Sequence, residues 1–115
     1  MPSWTVRLTA AAEQDFEGIV EWTIEQFGEA QALVYAETLS LALAALAEGP
    51  SLADVKRRDE ILKGLCSLHV ARQGRKGRHF IMFRVAKRGD KVIEILRLLH
   101  DSMDLPRHIR PREEP

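Results

Sequence analysis

Apolar and polar residues alternate at the start of the chain. Trp4, Val6 and Leu8 interleave with Ser3, Thr5 and Arg7, the period-2 signature of a half-buried strand from Ser3 to Leu8. The period then lengthens: Phe16, Ile19, Val20, Thr23 and Phe27 share one helical face, with Thr9 as the N-cap and Gly28 as the stop. Glu13, Asp15 and Glu17 crowd the first turns, where they favour the positive end of the helix dipole. A second helix starts near Glu29, carries the stripe Ala32, Ala36, Leu39, Leu43 and Leu46, and is stopped by Gly49-Pro50. So short a connection makes the two helices antiparallel, and alanines at 36, 42, 44, 45 and 47 permit close packing.

The pattern lapses from Gly49 to Lys63, read as a polar surface loop containing Lys56-Arg57-Arg58-Asp59-Glu60. Three strand-like stretches follow: Leu65 to Val70, His79 to Val85, and Lys91 to Leu99. Their connections, basic Ala71–Arg78 and the tight Arg88-Gly89-Asp90 turn, suit antiparallel hairpins. On the last strand Ile93, Ile95 and Leu99 take one face and Val92, Leu96 and Leu98 the other, the pattern of a central strand. Asp101 or Ser102 caps a short turn running from Met103 to Ile109. The expected fold is α+β, in the order β-α-α-β-β-β with an antiparallel helix hairpin packed on a mainly antiparallel sheet and a short C-terminal helical turn. One domain spans 1–109, and 110–115 has the composition of a flexible tail.

At 115 residues and 45% hydrophobic content the chain can bury one real core without staples. Its longest unbroken apolar run, Leu41 to Ala47, falls far short of the ~20 residues that cross a bilayer, so no membrane association is expected. A lone cysteine and an N-terminus without an apolar leader point to the cytoplasm. Balanced total charge hides a segregation. Residues 1–55 hold one cation and nine acids, whereas 56–115 hold 16 cations and eight acids, a basic half suited either to an anionic partner or to a solvated sheet face.

The four histidines and Cys66 lack metal-ligand spacing, and no phosphate-cradling loop or nucleophile elbow occurs, so neither metal nor cofactor is expected. Cys66, in a strand pattern with Leu68 and Val70, reads as a buried structural thiol. Arg72, Arg84 and Arg97 lie on or beside strands, with His79 and His100 near them in sequence. If the strands bring them together, the guanidinium groups would stabilise phosphate charge while a histidine moves protons. If not, each pairs with a local acid or covers the sheet with its aliphatic stem.

Three stretches carry a family resemblance: WTVRLTAAAEQDFEGIVEWTIEQFG (Trp4 to Gly28), ALAEGP (Ala45 to Pro50) and, most specifically, VIEILRLLHDSMDLPRHI (Val92 to Ile109). Together they resemble the ParE branch of the RelE/ParE toxin superfamily over nearly the whole chain. The last stretch is similar to that family's closing strand and Leu-His-x-x-Met-Asp turn, here Leu99, His100, Met103 and Asp104, followed by Arg107 and His108. The resemblance implies the toxin of a type II toxin–antitoxin system that inhibits DNA gyrase without catalytic chemistry of its own. It also implies neutralisation by a cognate, ParD-like antitoxin, in a heterotetramer or larger assembly. Its target-binding candidates are Arg97, His100, Met103, Arg107 and His108, and it leaves the antitoxin-binding residues open. The alternative branch, RelE-like ribosome-dependent mRNA endonucleases, would use Arg72, Arg84, Arg97 and His100. The only tyrosine, Tyr35, lies in the second helix rather than near the C-terminus, which favours the ParE side.

Overall fold

A computed structural model describes residues 3–87 and 91–109. The strand β1 (Thr5–Leu8) leads directly into α1 (Ala10–Phe27), and Thr9 is the joint between them. Its hydroxyl accepts from Ala12 N–H at 3.1 Å as an N-cap, while its own N–H donates to the Ile95 carbonyl at 3.0 Å. Gly28, at φ +91°, ends α1 and opens α2 (Glu29–Ala45), a reversal that suits a residue without a Cβ. The second helix finishes in a 3₁₀ turn, Leu46–Glu48, closed by Gly49 at φ +115°. A Cβ on Gly49 would lie 2.9 Å from the Trp4 indole nitrogen, so the stop signal is also a packing requirement.

The remaining elements are β2 (Lys56–Arg57), β3 (Cys66–His69), β4 (His79–Val85), β5 (Val92–His100) and α3 (Leu105–His108). They build one five-stranded sheet in the order β1-β5-β4-β3-β2, with β1 parallel to β5 and the other pairs antiparallel. The helix hairpin covers one face. Ala12, Leu39 and Leu46 meet Leu68, Ile81, Phe83, Ile93, Ile95 and Leu98 in the main core. Leu65, Met82, Leu99 and Ile109 form a smaller cluster together with Ile61, Leu62, Phe80 and Leu105. By length and composition Glu29–Glu48 is apolar enough to cross a membrane, with a mean hydropathy of 1.4. Ala32, Thr38, Leu39 and Ala42 of this helix are buried within the fold, and Leu33, Val34 and Leu41 remain exposed.

Four expectations change, the first at the C-terminal turn, which is capped at Asp104 and spans Leu105–His108 rather than being capped at Asp101 or Ser102. The stretch from Gly49 to Lys63 is not wholly a surface loop, because Lys56–Arg57 pairs with β3 as an edge strand and Ile61 and Leu62 pack in the smaller cluster. The faces of Leu98 and Leu99 are exchanged. Met82 pairs with Arg97 but Phe83 with Ile95, so Leu96 is an extra residue that shifts the register and turns Leu98 to the main core and Leu99 to the smaller one. Phe27, expected on the buried helical face, is 64% exposed. The Arg88-Gly89-Asp90 turn and the tail at 110–115 lie outside the described residues.

Candidate functional site

Beyond its pairing with β1, strand β5 has a free edge, and α1 supplies the missing partner. Asp15 accepts from the Leu98 N–H at 2.9 Å and from the Arg97 guanidinium at 2.7 and 3.0 Å, so one carboxylate stands where the next strand would be. This hydrogen bonding raises the Arg97 pKa above its ordinary value. Arg97 also reaches the His108 carbonyl at 3.5 Å, tying the closing strand to α3.

Between α1 and the end of β5 a groove of about 530 Å³ opens, with Gly18, Ile19 and Trp22 on one wall and Arg97, His100 and Met103 on the other. It adjoins a second hollow of about 380 Å³, bounded by Phe27, Tyr35 and Arg78, with Trp22, His79 and His100 shared. Trp22 is 55% exposed and meets Phe27 edge-on at 5.9 Å. No heavy atom lies within 4 Å of where a Cβ on Gly18 would sit, which leaves the groove wide at that point.

The floor is a polar network. His79 and His100 are cross-strand partners whose rings meet edge to face at 5.2 Å. Tyr35 Oη lies 2.7 Å from His79 Nδ1 and accepts from the Arg78 N–H at 2.9 Å. Burial, then the neighbouring His100, pushes His79 down to about 4, so its ring is neutral near pH 7; burial raises the Tyr35 phenol. Behind them Asp101 binds Arg78 at 3.0 Å and His69 Nε2 at 2.9 Å. Because His69 Nδ1 accepts from the Ala71 N–H, its neutral tautomer carries the proton on Nε2 and donates it to Asp101. Arg78 first, and His69 second, hold the Asp101 carboxyl at about 2.

Arg97, His100 and Met103 therefore meet at one groove, while Arg107 and His108 sit exposed on α3, outside its lining. Arg72 and Arg84 are elsewhere, on Asp54 at 2.8 Å and Glu94 at 3.3 Å. The three strand-associated arginines pair with three different carboxylates in different parts of the surface. Cys66 is a buried core thiol whose pKa burial raises. Among the described residues no cluster of three His, Cys, Asp or Glu could hold a metal ion. Trp22, Tyr35, Arg78 and Asp101 were not anticipated, since the chain supplies them from four separate elements or their flanks. The resulting groove is aromatic on its helix wall and polar at its floor.

Residues 6–105 match the family described as the ParE toxin of type II toxin–antitoxin systems, parDE. The chain belongs to this toxin family. It is 30% identical to Toxin ParE1 of Caulobacter vibrioides over 90% of its own length and 95% of that protein's. It is also 30% identical to Toxin ParE of Escherichia coli over 91% of this chain and 92% of the relative. Among solved structures, the chromosomal ParDE system from P. aeruginosa superposes with a TM-score of 0.69 at 18% identity, covering 87% of this chain and 98% of that one. The toxin–antitoxin complex RelBE2 from Mycobacterium tuberculosis gives 0.54 at 24% identity, over 87% and 99%. These two likenesses show a fold shared by ParE and RelE toxins.

Proposed function

We propose that this ParE-family toxin halts growth by binding DNA gyrase and holding it in its DNA-cleaved state, as an inhibitory binding protein without chemistry of its own. The observation that carries the reading is the groove where Arg97, His100 and Met103 face Trp22, beside the α3 turn bearing Arg107 and His108. Ion pairing anchors its backbone, and its exposed aromatic wall offers the kind of surface on which protein hot spots form. A cognate ParD-like antitoxin neutralises the toxin in a heterotetramer or larger assembly, its acidic groups meeting the basic half of the chain and its apolar anchors taking exposed helix positions such as Leu33 and Val34. Cytoplasmic action follows from that target. The RelE-like alternative gains no support from the arrangement, because Arg72 and Arg84 lie apart from Arg97 and His100.

The test is induction without antitoxin, with DNA and protein synthesis followed separately by pulse labelling. Early loss of DNA synthesis supports gyrase poisoning, and early arrest of translation overturns it in favour of mRNA cleavage. Gly18→Tyr, which fills the groove from a position with open space around it, is expected to abolish the arrest while the protein still folds.

A further inference from the structure

The far end of β4 carries a second surface that the gyrase reading does not use. His79 and Val85 bound this seven-residue strand, so its ends are about 20 Å apart, at ~3.3 Å per residue. Beside Val85 lies a cleft of about 810 Å³, formed where β2, the turn before β3 and the end of β4 converge. Four cations line it: Arg57, Lys63, Arg84 and Lys87. Its described lining contains no carboxylate and no aromatic ring, and Pro50 and Val85 give it an apolar floor.

The two arginines are held in place yet keep donors to spare. Arg57 uses Nε and Nη2 on Asp59, at 3.2 and 3.1 Å, which leaves Nη1. Among the described residues Arg84 bonds through Nε alone, to Glu94 at 3.3 Å, and Glu94 is shared with Arg7 at 2.6 Å, which leaves the terminal nitrogens of Arg84 without a partner among those residues. Fixed guanidinium forks beside flexible lysine ammonium groups suit a row of phosphates.

We propose that this cleft binds the phosphodiester backbone of double-stranded DNA without reading its sequence. The lack of an aromatic ring argues against single strands, whose general binding sites stack bases on such rings. The edge strand β2 spans only two residues and offers too short a ladder for an acidic protein strand to add to the sheet. This inference is independent of the gyrase reading, because the cleft lies at the opposite end of β4 from the groove.

A fluorescein-labelled short duplex, titrated with the purified toxin by anisotropy, tests it. Binding should weaken with salt at a log–log slope of about −3.6, each neutralised phosphate contributing about −0.9. The double variant Lys63→Gln/Lys87→Gln should bind about tenfold more weakly or worse at about 0.1 M salt, with a slope shallower by about 1.8 and an unchanged melting temperature. Lys76→Gln, which removes a cation at the groove end, should bind as the parent does. No binding at about 50 mM salt would overturn the proposal, as would a slope that the double variant leaves unchanged. Displacement of the duplex by polyglutamate at a lower charge concentration than unlabelled DNA would reassign the cleft to an acidic protein.

Discussion

The two ends of β4 absorb the same charge to different degrees. At the His79 end Arg78 and His69 are bound to Asp101, Arg97 is bound to Asp15, and the histidine beside Tyr35 is neutral, so the basic character is largely absorbed by internal pairing. At the Val85 end Arg57 and Arg84 are also paired, with Asp59 and Glu94, yet they share with Lys63 and Lys87 one cleft whose described lining holds no carboxylate. The segregation of charge along the chain identifies neither role, since both ends draw on the basic half. What separates them is where the acids of α1 and the β5 turn come to lie. The ion-paired side chains at the first end should therefore respond to mutation mainly through stability, and the lysines of the cleft through binding.

The largest expected effect is at Asp15, whose removal leaves the Leu98 N–H and the Arg97 guanidinium without their partner. Asp15→Ala should destabilise by about 2–3 kcal/mol, lowering the melting temperature by roughly 10–15 °C in a calorimetric scan. The second effect appears with pH. His79 has a folded pKa near 4, below the ordinary 6.5, so the unfolded chain binds more protons between these values and stability falls as pH drops through that window. Urea unfolding at a series of pH values should show this fall in the parent and a flatter profile in His79→Gln. Asp101 acts lower. Its carboxyl, held at about 2 against an ordinary 3.8, contributes in full above the ordinary value, and that contribution is lost as pH falls toward 2. The exposed Arg78 side limits it to at most about 1 kcal/mol, so Asp101→Asn should remove a small dependence confined to acid. The smallest effect belongs to the cleft: Lys63→Gln should change stability by less than about 0.5 kcal/mol, because the side chain projects from an exposed turn. A loss as large as that of Asp15→Ala would dissolve the contrast between the two ends.

Helices α1 and α2 and strands β1, β3, β4 and β5 were legible because each sets a periodic apolar face against the main core. Gly28 and Gly49 marked the turns that their positive φ angles require. The two-residue strand β2 was not, since Lys56 and Arg57 carry no apolar signal and pair only because β3 lies beside them. Leu98 and Leu99 were assigned to the wrong faces because a bulge at Leu96 breaks a period that local pattern assumes to be regular. At the site, Arg97, His100 and Met103 could be singled out from one continuous stretch, and they do share a groove. Asp15 was read as a helix-dipole residue, and nothing in its neighbourhood revealed a partner 82 positions away. Tyr35 and His79, 44 positions apart, were hidden for the same reason.

The groove is the surface proposed to engage gyrase. The measurement that tests it is gyrase supercoiling and DNA cleavage with purified toxin freed of antitoxin, comparing the parent chain with Gly18→Tyr. The expected result is inhibited supercoiling and accumulated cleaved DNA with the parent, and neither with the groove-filled variant at an unchanged melting temperature. A parent without effect at micromolar concentration would contradict gyrase as the target, and a fully active Gly18→Tyr would contradict the groove.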